Sequence, residues 1–288
     1  MDPAFILIQA FNGLQYGLVL FLVASGLTLI FGIMGIINLA HGAFYMLGAY
    51  VAYGIARHTG SLMLAIAGAL AALAVLGLVV ERVLMARLYR RNHLDQVLLT
   101  YGMIMVFGEA QRLVWGADVH AVAIPAALDF SFQAGEAMAF PFYRVALAGL
   151  CALLALAMFL VIHKTRLGMW IRAGASNRDM VSSLGVDINL LFALVFAAGA
   201  AMTGLAGALA APLTSVYPAM GESIIVISFV VVVIGGIGSV KGALLGALLI
   251  GLADTFGRVL LPDFASFLVY AVMAGVLLWR PQGLFARG

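Results

Sequence analysis

Two polar side chains, Asn38 and His41, interrupt a long apolar stretch of this sequence, in the segment GIINLAHGAFYMLGAY. A polar group inside lipid is costly without a partner, so such residues normally face a bundle interior or a cavity. Asn38 could simply cap the following helix, and His41 could be a hydrogen-bonded core histidine. Contact with a ligand is the functional alternative, because a helix N-terminus within a membrane attracts carboxylates. A proton relay would need further acids in series, and none is evident near His41.

Other motifs argue against enzymatic chemistry. The run GGIGSVKG, from Gly235 to Gly242, is similar to a phosphate-binding loop, but a Walker loop needs Gly directly before Lys and Ser or Thr directly after it. Here Val240 precedes Lys241 and Gly242 follows. The single cysteine, Cys151, permits no internal disulfide and no thiolate metal cluster. We therefore expect no ATP hydrolysis by this chain, no catalytic residues, no cofactor and no metal.

The composition indicates the elements that must position these residues. Of the 288 residues, 65% are hydrophobic and 9% are charged, against roughly 45–50% and about 25% in soluble domains. A water-soluble enzyme is nearly excluded, and a net charge of +3 is too small for nucleic-acid binding. With about 20 apolar residues per span, residues 1–288 predict one all-α domain. It is a polytopic integral membrane helical bundle with about eight or nine transmembrane helices in the lipid bilayer.

Apolar runs separated by charged residues indicate nine candidate spans. They cover residues 5–31, 39–56, 62–80, 96–114, 143–162, 190–211, 224–238, 242–260 and 264–279. The seventh, IIVISFVVVVIGGIG, is short, β-branched and glycine-terminated, which predicts a broken or partial span. The sixth contains GAAMTGLAGALAA, whose small residues predict close helix packing. No basic residue precedes Arg57, so the first span lacks a signal-peptide n-region and is expected to be retained.

The distribution of basic residues predicts the orientation, because short cytoplasmic loops accumulate Lys and Arg. One set of loops and ends holds eleven: Arg82, Arg87, Arg90, Arg91, Lys164, Arg166, Arg172, Arg178, Lys241, Arg280 and Arg287. The opposite set holds four: Arg57, Arg112, Arg144 and Arg258. We therefore expect the N-terminus outside and the C-terminus in the cytoplasm.

Two connecting segments are long enough to have structure of their own. The outer one, 115–141, mixes prolines, acids and aromatics and predicts an ordered loop or short hairpin. Within the inner one, 163–189, Ser176 followed by Asp179 is typical of a capping box, and Gly185 can end the helix. A short amphipathic helix on the cytoplasmic face is predicted, either lying on the membrane surface or docking onto a partner.

Four segments in order give the chain a family likeness. They are GLTLIFGIMGIINLAHGAFYMLGAY, RAGASNRDMVSSLGVDIN, VIGGIGSVKGALLG and RPQGLF. These resemble the LivH-type permease subunits of bacterial branched-chain amino acid ABC importers, and the likeness extends over essentially the whole chain. Membership implies a related LivM-type permease as partner, two cytoplasmic ATP-binding subunits, a periplasmic substrate-binding protein, and location in the bacterial inner membrane.

The resemblance also implies a coupling helix that docks into a groove of the ATPase. The residues so assigned are Ser176, Asn177, Arg178, Asp179, Met180, Leu184 and Gly185. Where many relatives have a Glu or Ala pair this chain has Ser-Asn-Arg-Asp, so individual docking contacts are not carried over.

The substrate implied is a branched-chain or other aliphatic amino acid, with amides and urea as further options in related permeases. Such a zwitterion needs a few polar groups among apolar walls. The candidates for the translocation path are Thr28, Phe31, Met34, Asn38, His41 and Phe44. Two other classes stay open at this point. A stand-alone ion-coupled secondary transporter would need mid-membrane acids, and a non-transporting scaffold or sensor is the third alternative.

Overall fold

Eleven α-helices and one small antiparallel sheet lie within the residues that the computed structural model describes, 3–89, 91–133 and 139–285. The helices are α1 Pro3–Met34, α2 His41–Thr59, α3 Leu62–Val83, α4 His93–Trp115, α5 Phe142–Lys164, α6 Arg166–Ser176, α7 Arg178–Ser183, α8 Ile188–Thr214, α9 Met220–Gly235, α10 Val240–Leu260 and α11 Ala265–Trp279. The strands are β1 Ser131–Gln133 and β2 Ala139–Pro141. A 3₁₀ turn, Met85–Arg87, follows α3, and another, Pro262–Phe264, precedes α11.

The predicted all-α membrane bundle is confirmed, and each of the nine candidate spans coincides with a helix: α1 to α5 and α8 to α11. Seven helices are long and apolar enough to cross a membrane. The short span predicted at 224–238 is α9, whose 16 residues rise about 24 Å. Helix α2 is not among the seven, since its 19 residues include two histidines, three tyrosines and an arginine.

Helices α1 and α8 form the centre of the bundle. In the most apolar 18-residue stretch of each, 78% and 72% of the residues are buried, against 17% in α4 and 11% in residues 262–279, which contain α11 and the 3₁₀ turn before it. The predicted close packing around the small residues of α8 is present. Gly48 of α2 lies directly against Gly204, and Gly207 lies against the backbone of Tyr45, so a side-chain carbon at either α8 position would overlap its neighbours. Small residues allow such backbone contact between membrane helices.

The segment between α4 and α5 contains the predicted hairpin. Strands β1 and β2 pair with Phe132 opposite Phe140, and residues 134–138 between them lie outside the described part of the chain. Earlier in the segment, the backbone of His120 exchanges hydrogen bonds of 2.8 and 2.7 Å with Val216, and its ring stacks on Tyr53 at 4.3 Å. This connection therefore holds the end of α2 to the loop between α8 and α9.

Two of the segments that carry the family likeness meet at the far end of α9. The backbone N–H groups of Leu284 and Phe285 donate to the carbonyls of Ile234 and Gly235, at 2.8 and 3.1 Å. Gly236 has φ +94°, a conformation that L side chains rarely adopt. The chain after α11 therefore closes over the turn that leads into α10.

Candidate functional site

The N-terminus of α2 lies inside the bundle. His41 is fully buried, and its Nε2 atom lies 2.6 Å from Thr203 Oγ1 in α8 and 3.1 Å from the Val23 carbonyl in α1. Val23 lies eleven residues before the end of α1 at Met34, which corresponds to about 16 Å along the axis. After a turn at Gly35, where φ is +66°, residues 36–40 therefore return into the bundle before α2 begins.

Asn38 is the polar residue of this returning segment. It is fully buried, and neither its Oδ1 nor its Nδ2 atom has a hydrogen-bond partner among the described residues. Ala40 occupies the N-cap position of α2, and no side chain bonds to the helix there. The prediction that Asn38 caps this helix is therefore wrong, because the chain enters with Ala40 in helical geometry. A buried amide without a partner is costly, so Asn38 stays a candidate for contact with a passing solute.

The apolar candidates of the translocation path lie in hydrophobic packing. Phe44 is fully buried and meets Phe196 edge-on and Phe107 at a tilt, both with ring centroids 5.9 Å apart. Met34 is buried in the same cluster, and Phe31 is half-buried. Of the six path candidates, Thr28 alone is among the described residues that line either of the two cavities below.

A cavity of about 470 Å³ lies between α2, α4 and α9, and we call it the α4 cavity. Its apolar lining comes from Leu39, Ala43, Met46, Ile104, Met105 and Ile225, and its polar lining includes Tyr101, Glu109, Gln111, Arg112 and Glu222. Arg112 Nη1 donates to Glu109 Oε1 at 3.0 Å, as their spacing predicts. Leu39 follows Asn38 directly, so the cavity adjoins the returning segment.

The second cavity lies where α1, α5 and α6 meet the start of α10, and we call it the α10 groove. Its volume is about 280 Å³. Thr28 lines it together with the basic residues His163, Arg172 and Lys241. The two cavities therefore differ in their charges: the α4 cavity contains both signs, whereas no acidic residue is among the described residues that line the α10 groove.

The short helix predicted in 163–189 is present, with a different boundary. Ser176 is the last residue of α6, and the N-cap of α7 is Asn177, whose Oδ1 accepts a 3.0 Å hydrogen bond from the Met180 N–H. The prediction of Ser176 as the capping residue is therefore wrong by one position. Gly185, at φ +85°, follows the end of α7 as expected.

Helix α7 has one attached face and one open face. Val181 is buried, and the Arg178 guanidinium lies over the Phe192 ring of α8, 5.3 Å from its centroid. Met180 and Leu184, by contrast, are 62% and 76% exposed. Arg178 is thus part of the attachment to the bundle, whereas Met180 and Leu184 are the apolar groups that a partner could contact.

Sequence reasoning missed Thr203 and Glu222 as members of these sites. Thr203 is the only polar residue in GAAMTGLAGALAA, and Glu222 is an acid in the first turn of the short span α9. Each of these two polar residues in an apolar run could have been recognised from the sequence as a candidate. The other polar groups of their sites, however, lie more than a hundred residues away along the chain, so only the fold brings them together.

Long apolar helices around a buried polar segment, with open space between some of them, define a polytopic helical membrane protein. The chain belongs to the family described as the branched-chain amino acid transport system permease component, which it matches over residues 9–277. The predicted family is thereby confirmed, and with it the prediction of a transport permease rather than an enzyme.

Individual relatives resemble the chain over nearly its full length. It is 32% identical to the high-affinity branched-chain amino acid transport system permease protein BraD of Pseudomonas aeruginosa, covering 97% of this chain and 95% of the relative. It is 31% identical to the permease protein LivH of the high-affinity branched-chain amino acid transport system of Escherichia coli (strain K12), with the same coverage. The LivM permease of that organism is 29% identical over 90% of this chain and 66% of the relative. No solved structure matches significantly.

Proposed function

We propose that this chain is one of two permease subunits of an ATP-driven importer that moves branched-chain or other aliphatic amino acids into the cytoplasm. Its similarity to BraD and LivH supports the substrate class. Its weaker similarity to LivM supports a pairing with a related, LivM-type subunit. Two cytoplasmic ATP-binding subunits and a periplasmic binding protein complete the assembly in the bacterial inner membrane.

The α4 cavity is the observation that carries the substrate assignment. An aliphatic amino acid is a zwitterion with a branched apolar side chain, and it needs a cation, an anion and aliphatic walls. Arg112 and Glu222 supply the two charges, and Ile104 and Ile225 contribute aliphatic surface. The volume of about 470 Å³ lies within the range of about 300–1,000 Å³ of small-molecule sites. The path continues past Asn38 and His41, whereas Thr28 lines the other cavity.

Reconstitution tests this function. Proteoliposomes containing the chain, its copurifying permease and ATPase subunits and internal ATP should accumulate leucine when loaded binding protein is outside. The changes Arg112→Gln and Glu222→Gln should each lower uptake about tenfold, since charge-assisted contacts contribute about 1.5–3 kcal/mol. Arg57→Gln is the matched control, because Arg57 is outside the lining of the cavity. Uptake by the chain alone, driven by an ion gradient without ATPase subunits, would overturn the proposal.

The proposed route of energy transfer runs through α7. Closure of the ATPases would push on the exposed Met180 and Leu184, and the attachment of Arg178 and Val181 to the bundle would pass the movement to α8. Leu184→Glu should therefore abolish the stimulation of ATPase activity by loaded binding protein, while the permease pair still assembles. Leu184→Met keeps an apolar side chain and should retain stimulation. Normal stimulation in Leu184→Glu would show that α7 does not couple the ATPases to the permease.

The proposed orientation places α7 in the cytoplasm, and labelling tests it. In a Cys151→Ser background, Ser182→Cys on α7 should react with a membrane-impermeant maleimide only after the inner membrane is permeabilised. Asp118→Cys, in the loop after α4, should react while the inner membrane is intact. The reverse pattern would invert the topology and separate α7 from any cytoplasmic ATPase.

A further inference from the structure

The α10 groove has the shape and charge of a site for an amphipathic anion. Helices α5 and α10 both pack against α1, and the groove between them is floored by Leu29, Gly32 and Ile33 of α1. Its opening carries Arg172 and Lys241. Apolar surface therefore lies below a pair of positive charges.

These two charges have no acidic partner within the described residues. Arg172 uses its Nη1 atom to donate to the Ile162 carbonyl. The Lys241 ammonium lies 5.7 Å from the centroid of the Phe159 ring, a cation–π contact. These contacts hold the two side chains near the groove. Because both side chains are exposed, they still have hydrogen-bond donors available for an anion.

The start of α10 adds a second feature that favours an anion. Ser239 is the N-cap of this 21-residue helix, and its Oγ atom accepts the Gly242 N–H at 3.1 Å. The N-terminus of a helix carries a partial positive charge and N–H groups without helical partners. These groups therefore face the same end of the bundle as Arg172 and Lys241.

Thr28 provides an independent sign of a ligand. It lines the groove, it is 1% exposed, and its Oγ1 atom has no hydrogen-bond partner among the described residues. Many threonines in helices bond back to a carbonyl of the preceding turn, as Thr214 does here to Ala210. The hydroxyl of Thr28 is left free to contact a group within the groove.

The groove lies at the ends of membrane helices, where lipid headgroups are found. Helix α1 ends at Met34, α5 ends at Lys164 and α10 begins at Val240. Along α5, Leu153, Leu156 and Leu160 are exposed apolar residues. An occupant at this position therefore needs an anionic head at the membrane interface and an apolar remainder. Basic pockets between membrane helices recognise anionic lipid headgroups in this way.

We propose that the α10 groove is a binding site for the phosphate headgroup of an anionic phospholipid. The phosphate is held by Arg172, Lys241 and the N-terminus of α10, and the upper part of an acyl chain covers Leu29 and Ile33. Such a lipid joins α1, α5, α6 and α10 at one end of the bundle.

Native mass spectrometry of the delipidated full-length chain, together with its copurifying subunits, tests the site. Phosphatidylglycerol should bind, whereas phosphatidylcholine with the same acyl chains should bind far less. Arg172→Gln and Lys241→Gln should each weaken binding of phosphatidylglycerol about fivefold, because a basic residue near an anionic lipid contributes about 1 kcal/mol. Thr28→Val preserves the shape of the side chain and should weaken binding by a smaller factor.

Two controls make the outcome decisive. Lys164→Gln removes a neighbouring positive charge that is not among the groove's described lining residues and should leave binding of phosphatidylglycerol unchanged. Inorganic phosphate should fail to displace the lipid at millimolar concentration. Equal binding of both lipids, displacement by inorganic phosphate alone, or the same loss in Lys164→Gln would each overturn the assignment. The measurement involves no transport, so its result is independent of the substrate proposed above.

Discussion

The contact between α2 and α8 and the position of α4 are opposite extremes of packing in this protein. Between α2 and α8 the backbones touch: Gly48 lies against Gly204, and Gly207 lies against the carbonyl of Tyr45. In α4, by contrast, a side-chain carbon added at Gly102 or Gly108 would have no described atom within 4 Å. Glycine therefore allows backbone contact between α2 and α8, whereas the two glycines of α4 lie where a side chain would have room.

This difference assigns separate mechanical roles to the two regions. Backbone contact leaves no room for sliding, because close-packed interiors transmit displacement rather than absorbing it. We therefore expect the α2–α8 contact, which carries His41 and Thr203, to behave as a rigid frame. Helix α4 has few buried residues and borders the α4 cavity, so its movement can change the volume of that cavity.

The largest expected effect comes from breaking the rigid frame. Gly207→Val introduces carbon atoms where the Tyr45 carbonyl already lies, and we expect a loss of about 3 kcal/mol, the upper part of the range for overpacking. The folded fraction after detergent extraction, measured by fluorescence-detected size exclusion, should collapse. Gly102→Val is the matched control and should leave a normal peak. A normal peak for Gly207→Val would show that α2 and α8 can move apart to accommodate a larger side chain.

His41 tests whether the frame also serves transport. His41→Ala removes a ring that joins α1, α2 and α8, and we expect uptake to fall more strongly than the folded fraction, because the proposed path passes this buried polar group. Thr203→Val removes only one hydrogen-bonding group, and His41 can still bond the Val23 carbonyl. Its thermal stability should fall by about 1 kcal/mol, with uptake nearly unchanged. Equal losses of folding and uptake in His41→Ala would make it a packing histidine.

The elements of this fold could be predicted because each span is a long apolar run. The entry of α2 could not. The apolar context of the six residues 35–40 predicts burial but not the direction of the chain, and only the contacts of His41 show that these residues return into the bundle. The cap of α7 was missed for a related reason. Asn177 is also a good capping residue, and Met180, whose N–H it accepts, lies three positions after it, just as Asp179 lies three positions after Ser176. Local spacing cannot decide between the two.

The candidate site was only partly accessible to sequence reasoning. Burial of Asn38 and His41 follows from their apolar context, and the structure contains both as fully buried residues. Glu109 and Arg112, three positions apart on one helix, form an ion pair of a kind that local spacing indicates, but nothing local indicates that Glu222 lines the same cavity. A cavity between three helices depends on how those helices are arranged, which periodicity does not encode.

A smaller effect should follow from restricting the movement of α4. Met105 lines the α4 cavity and is 59% exposed, so Met105→Trp can fill part of the cavity without displacing the core. We expect uptake to fall severalfold with an unchanged size-exclusion peak. Leu98→Trp is the matched control, since Leu98 is 70% exposed on the same helix and is not among the described residues lining the cavity. Equal uptake in the two variants would show that the α4 cavity is not part of the translocation path.

The smallest expected effect compares alanine at a glycine of each region. Gly102→Ala meets open space and removes the flexibility of glycine from a helix interior, so stability should rise by about 0.5–1 kcal/mol with uptake unchanged. Gly204→Ala adds the same methyl group directly against Leu73 of α3, so it should lower stability. Thermal unfolding of both variants in the same detergent measures the contrast. A rise in stability in both variants would show that helix propensity outweighs packing at Gly204.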